Sequence, residues 1–434
     1  MTASVHATES LLLSVLLQLI VMIGVARLFN SLARGLGQPG VTGEIVAGLI
    51  LGPSLFGHFF PHAALALFGP TASTPIVIIS QVGLILLMFQ IGTDFAFGHL
   101  QSARYQAATV SVAVVSILVP LLLGFGFGWM SAGALAPGVD RLVYSLFCGV
   151  AVAITAVPVL GRILRQFDLT TDIVGVVAIA AAAINDLVGW LLLACISAYA
   201  MGQFSGAFVL WKIGAILAGV VVFWFLLRPL ADPMLRRLPI RNGNLSPNLM
   251  ALVLCLIFAL GIYTNAIGIF TIFGGFAAGL LFHRHADFVA AWRQHVGQFV
   301  LVFFLPVFFT FTGLRTNILG LTSVADFGWL GLVLAVSILG KVAPVYLAAR
   351  GSRFDHWQSL TLGSLMNTRG LMELIVLNVG YDLGFLPQRP FTMMVIMATV
   401  TTVMTGPILQ RLLPRMRPGV VTGMTRQAAH STEA

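Results

Sequence analysis

Apolar windows of about 20 residues recur along this chain from end to end, each bounded by charges, glycine or proline. At about 1.5 Å of rise per residue, one such window crosses the ~30 Å hydrocarbon core of a bilayer as a helix. Thirteen candidate spans follow, at 10–30, 39–56, 74–92, 104–130, 141–165, 172–199, 206–229, 247–266, 268–282, 296–314, 326–349, 357–381 and 390–413. The expected fold class is therefore an all-α polytopic membrane protein. Composition agrees: 59% of the 434 residues are hydrophobic and 9% charged, where a soluble domain carries about 25% charged residues. The opening MTASVHATES has no basic n-region, and the apolar run behind it outlasts a signal h-region, so the first span reads as retained. Cys148, Cys195 and Cys255 fall inside spans and read as small core residues, with neither disulfide nor metal spacing.

The net charge of +9 would suggest nucleic acid in a soluble protein, but here it sits in short loops. The odd-numbered connections and the tail hold seventeen arginines, from Arg27 to Arg426. The even-numbered ones hold only Arg141, Lys212, Arg315 and Arg389. That asymmetry places the N-terminus outside and the C-terminus in the cytoplasm of a cell membrane, with no nucleic-acid partner needed. The basic stretch Arg236–Arg241 is within reach of anionic lipid headgroups, though topology alone accounts for it.

Thirteen spans divide as six, one and six, and an offset of seven reverses the direction of crossing. This is an inverted-topology repeat, which puts ion sites at the bilayer midplane between discontinuous helices. Breakers stand at matching places. Span five carries AITAVPVLGRIL, with Thr155 and Pro158, and span twelve carries SLMNTRGLMELIVLN, interrupted by Asn367, Thr368 and Gly370. Backbone freed at that depth persists only where it lines a cavity.

Two cations and three acids fall inside spans. Asn185-Asp186 lies halfway along TDIVGVVAIAAAAINDLVGWLLLACISAYA. A carboxylate at that depth costs roughly 2.5–3.5 kcal/mol, which makes Asp186 a candidate ion and proton site. A hard alkali cation wants oxygen ligands: the Asp186 carboxylate, the Asn185 amide, the Thr155 hydroxyl and carbonyls freed near Pro158. Lys341 is expected to neutralise Asp186 when no cation is bound. Arg369 and Glu373 are four residues apart on one helical face and are read as a structural ion pair ahead of an ion-binding role. Glu44, among glycines, is read as structural. GFGFG at Gly124–Gly128 has no strand before it and is helix-packing glycine, like Gly275 and Gly279. His283 and His285 are read as solvated loop residues. No nucleophile–base pair or metal-ligand spacing stands at membrane depth, so an enzyme is not expected.

The ordered set AITAVPVLGRIL, AAAAINDLVGW, the Gly340-Lys341 pair and MNTRGLMELIVLN resembles the cation:proton antiporter-2 family. That superfamily of sodium(potassium)/proton exchangers includes glutathione-gated potassium efflux systems and plant cation/proton exchangers. The likeness covers residues 10–413. It implies the sodium/proton antiporter fold, a homodimer, and an elevator mechanism exchanging Na⁺ or K⁺ for protons without any cofactor. The implied domains are core helices at 104–199 and 326–413, dimerisation helices at 10–92 and 247–314, and a linker helix at 206–229. A short cytoplasmic tail is expected at 414–434. Asp186 resembles the family's ion-binding aspartate, Asn185 its partner, Thr155 and Pro158 the unwound crossover, and Lys341 the core's basic residue. Electrogenic members have two adjacent aspartates where this chain has Asn185-Asp186. One carboxylate favours electroneutral exchange, unless Lys341 itself carries a proton. The short tail argues against nucleotide or glutathione gating by this chain. A sodium-coupled organic solute symporter of similar shape is the alternative, and a substrate-sized polar pocket would distinguish it.

Overall fold

The computed structural model describes residues 2–36, 38, 40–69, 73–93, 103–202, 214–215, 218–219, 221–238, 240, 243–267 and 271–416. Side chains are described from Glu9 onward, except at 73, 103, 158, 162, 165, 230 and 371. The helices are α1 (Thr2–Gly35), α2 (Gly40–Leu51), α3 (Phe56–Phe59), α4 (Pro61–Phe68), α5 (Ser73–Thr93), α6 (Ala103–Leu135), α7 (Arg141–Ala153), α8 (Val157–Gln166) and α9 (Ile173–Ala200). They continue with α10 (Arg228–Arg237), α11 (Pro247–Ala266), α12 (Ile272–Phe282), α13 (Ala286–Trp292), α14 (Leu305–Leu314), α15 (Val324–Gly351), α16 (His356–Met366), α17 (Leu371–Asp382) and α18 (Gln388–Met416). Among the described residues, 9 helices are long and apolar enough to cross a membrane. Of the other expected spans, two are broken into α7–α8 and α16–α17, and the ninth is the short α12. Residues 206–213, 216–217 and 220 of the expected linker, and 417–434 of the tail, lie outside the described residues.

The chain divides into two compact units, Met1–Leu32 with Gly43–Phe97 and Leu191–Asn317, and Ala33–Thr42 with Gly98–Trp190 and Ile318–Ala434. In the first, glycine lets backbone meet backbone. A Cβ on Gly275 or Gly279 of α12 would strike the carbonyls of Ile85 and Phe89 on α5, and one on Gly313 would strike Gly48 of α2. Lipid tails are as apolar as leucine, so close packing of this kind is what holds membrane helices together. Beside that seam the Phe89 ring stands 4.5 Å from Trp292, and Phe282 stacks on Phe288 at 4.5 Å. Glu44 is buried and its Oε1 accepts from Asn30 Nδ2 at 2.6 Å, in keeping with a structural place for it.

In the second unit, α6 and α7 pack along Gly124, Gly128 and Gly149, so GFGFG is indeed a helix seam. Cβ positions on Gly124 and Gly128 would come within 2.8 Å of Val152 and 2.6 Å of Ser145. Capping boxes start α15 (Ser323 with Asp326) and α16 (Asp355 with Gln358), satisfying first-turn N–H groups. Two sequence readings are corrected. Cys148 is buried, but Cys195 and Cys255 are exposed, because they lie on outward faces of their helices. His285 is not merely solvated, since its Nε2 sits 2.7 Å from Asp232 Oδ1.

The glycine seam generates a test by thermal unfolding in detergent. Gly279→Ala is expected to destabilise by about 1–3 kcal/mol through overpacking. Gly133→Ala, where a Cβ meets nothing within 4 Å, is expected to be neutral or stabilising by up to ~1 kcal/mol.

Candidate functional site

The site is built where two helices stop and restart. α7 ends at Ala153 and α8 begins at Val157, with Ile154 extended at φ −75, ψ 144. The break lies ahead of Pro158, which falls in the first turn of α8, where a missing N–H costs nothing. α16 ends at Met366 and α17 begins at Leu371. Gly370 between them has φ 143 and ψ −118, a conformation closed to other residues, and a Cβ there would lie 2.8 Å from Val159. The interruptions are bonded to each other. Ala156 N donates to Thr368 O at 3.2 Å, and the Thr155 hydroxyl donates to Met366 O at 2.8 Å.

A helix that stops inside an apolar bundle strands its last carbonyls. Ile154 N still reaches Val150 O, leaving those of Ala151, Val152 and Ala153. Two buried cations take all three. Arg369 donates to Ala151 O at 2.9 Å and Val152 O at 2.7 Å, and Lys341 Nζ donates to Ala153 O. Positive charge at a helix C-terminus also opposes the partial negative charge collected there. Arg369 stands 3.5 Å from Glu373, so the pair read from the sequence exists, with both side chains fully buried. Neither Glu373 oxygen makes a hydrogen bond among the described residues. The guanidinium therefore serves the helix end first and the carboxylate second.

Asp186 meets the opposite kind of helix end. Its Oδ2 accepts from Val157 N, the first N–H of α8, at 3.3 Å, and negative charge suits that terminus. The residue is 8% exposed, and its Oδ1 has no donor among the described residues. Asn185, satisfied at both ends, accepts at its amide oxygen from Ser116 Oγ at 2.9 Å and donates to the carbonyls of Ala113 and Ala181, each at 3.2 Å. The Thr155 hydroxyl lies 3.4 Å from the same amide. The structure thus gathers Asp186, Asn185, Thr155, Lys341, Arg369 and Glu373 in the second unit.

Lys341 departs from expectation. It forms no salt bridge with Asp186 among the described residues; its Nζ lies on Ala153 O and, at 3.0 Å, on Ser116 O. Stranded carbonyls outcompete the carboxylate for the ammonium in this state. Ser116 and Thr402 were not singled out in the sequence. Thr402 Oγ1 accepts from Arg369 N at 3.2 Å and holds the second break to α18. Its only trace was a threonine-rich run, TVTTVMTGP. A cavity of about 650 Å³ lies in the first unit, lined by Gln18, Leu51, Leu65, Phe68, Phe311 and Arg315 among others, and Asp186 does not line it.

Membrane-length helices, two of them broken and bonded together beside a buried carboxylate, define a multi-pass membrane transporter. The sodium/hydrogen exchanger transmembrane family matches residues 19–415, and the chain belongs to that family, one of transporters and not of enzymes. It is 34% identical over 417 residues to the Na(+)/H(+) antiporter NhaS4 of Synechocystis, covering 94% of this chain and 98% of that one. It is 33% identical over 422 residues to cation/H(+) antiporter 18 of Arabidopsis thaliana, and 30% over 408 to K(+)/H(+) antiporter 1 of Saccharomyces cerevisiae. The chain spans about half the length of those last two, 51% and 45%. Among solved structures, the sodium proton antiporter MjNhaP1 of Methanocaldococcus jannaschii superimposes with a TM-score of 0.67 at 19% identity, over 92% of this chain and 96% of that one. The fold is the one shared with that antiporter.

Arg369→Ala strands two carbonyls and a buried carboxylate together, and is expected to cost about 3–5 kcal/mol. Glu373→Gln removes a partner that makes no hydrogen bond, and should cost under about 2 kcal/mol. Thermal denaturation of the two purified variants in parallel checks that order.

Proposed function

We propose that the chain is a secondary antiporter exchanging Na⁺ or K⁺ for protons, with Asp186 carrying cation and proton in turn. One observation carries the reading: Asp186 sits at the restart of a broken helix with one carboxylate oxygen bound to α8 and the other without a donor among the described residues. Cation and proton compete for that group, so each excludes the other, and exchange follows without a separate coupling device. Membership of the exchanger family and the antiport activities named for NhaS4 and for the yeast and plant relatives support the same chemistry.

The site's residues all fall within one of the two units, which supports an elevator in which that unit moves as a body carrying the ion. In this reading helices 104–199 and 326–413 supply the core, 10–92 and 247–314 the dimerisation surface of a homodimer, and 206–229 the linker. Asn185 and Thr155 flank the carrier, Pro158 restarts the helix, and Lys341, Arg369 and Glu373 balance charge at the crossover. A single carboxylate at Asn185-Asp186 favours one-for-one, electroneutral exchange. The seventeen-to-four split of basic residues supports a cell-membrane protein with its N-terminus outside, its C-terminus cytoplasmic, and its basic loops near lipid headgroups. The symporter alternative finds no support, since the 650 Å³ cavity is lined by residues of the unit that lacks Asp186.

Reconstituted vesicles carrying an internal pH dye test the proposal. Addition of Na⁺ or K⁺ should drive proton movement through the wild type, and Asp186→Asn should abolish it while the variant remains folded and monodisperse. Exchange by Asp186→Asn at the wild-type rate would overturn the assignment. Repeating the assay with the membrane potential clamped should leave the rate unchanged if exchange is electroneutral.

A further inference from the structure

Helix α6 runs from Ala103 to Leu135 straight through Pro120. A proline nitrogen carries no hydrogen, so the carbonyl four residues back, on Ser116, loses its helical donor. In an apolar interior that carbonyl needs another one. Lys341 supplies it from α15, with Nζ 3.0 Å from Ser116 O and a second bond to Ala153 O. Gly340 lets α15 come close: a Cβ there would stand 2.8 Å from Leu123 and 3.8 Å from Pro120. Ser116 itself is wholly buried, and its hydroxyl bonds the Asn185 amide at 2.9 Å. One residue of α6 therefore touches both neighbours of the carrier carboxylate, through two different atoms.

We propose that Ser116 is a positioning residue for exchange: its proline-freed carbonyl parks the Lys341 ammonium away from Asp186, and its hydroxyl sets the orientation of Asn185. The inference rests on Asp186 being the carrier. A parked ammonium leaves the carboxylate open to the incoming cation. A released one becomes a tethered competitor for the same oxygens, and the apparent affinity for Na⁺ or K⁺ falls. The charges acting on Lys341 are those of Asp186 from α9, and of Arg369 and Glu373 from the second break and the first turn of α17. Ser116 adds none, so its influence is geometric.

The two atoms of Ser116 can be separated by mutation. Pro120→Ala returns an N–H to α6, reclaims the Ser116 carbonyl and removes one of the two bonds that hold the ammonium, loosening it. Ser116→Ala deletes the hydroxyl and leaves the carbonyl where it is. Both are read as the cation KM of proton flux in proteoliposomes, and as cation-dependent thermal stabilisation, so that a variant without turnover still reports affinity. Pro120→Ala should raise the apparent KM about threefold or more, and that effect should vanish in a Lys341→Gln background. The Ser116→Ala effect should persist there, because it acts through Asn185. If Pro120→Ala does not fold, Gly340→Val tests the same contact from α15, where added bulk lifts the lysine off α6. An unchanged KM in the folded variant, or an equal rise with and without Lys341, would overturn the proposal. A wild-type protein showing neither flux nor cation-dependent stabilisation would instead sink the exchange reading beneath it.

Discussion

Helix ends that face one another inside an apolar bundle are the constraint on which this molecule turns. Stranded amides and carbonyls in apolar surroundings need partners, and each unmet group costs several kcal/mol. The second unit answers with fixed charges of the right sign. Arg369 and Lys341 close the carbonyl end of α7, and Asp186 faces the amide end of α8. The residues that look like an ion site are thus also the residues that make a broken helix tolerable. Removing one alters both the charge seen by an ion and the shape of the place it would occupy.

That dual duty explains why so much of the site was legible in the chain. A charge inside an apolar run is costly enough to be informative by itself, so Asp186, Lys341, Arg369 and Glu373 stood out without any structure. Proline, asparagine and glycine marked both breaks to within a few residues. The Arg369–Glu373 contact followed from helical spacing. The antiporter fold followed from the length and number of the spans and from the ordered motifs.

What stayed hidden did so for definite reasons. Lys341 was expected on Asp186, because attraction between opposite charges is the only rule available before the helix ends are known. Once α7 is seen to stop at Ala153, the stranded carbonyls become the stronger demand. Ser116 left no mark, since a serine in an apolar helix is commonplace. Its place follows from Pro120 four residues on and from a lysine arriving on another helix. Thr402 was equally silent, being one hydroxyl in a run of them. The cysteines misled because apolar surroundings in a membrane include the lipid as well as the protein core.

The backbone twist at Gly370 has a consequence for which substitutions the second break can bear. Its φ of 143 and the nearness of Val159 shut that position to every other amino acid, so the second break depends on a glycine there as well as on the bonds from Thr402 and Thr155. Thr368, two residues earlier, engages Ala156 through its carbonyl, while its hydroxyl is bonded to nothing among the described residues. The link at Thr368 is thus made by its main chain and does not depend on its side chain. The bond between the two breaks therefore survives the loss of that hydroxyl, whereas a side chain added at Gly370 disturbs the backbone that presents it.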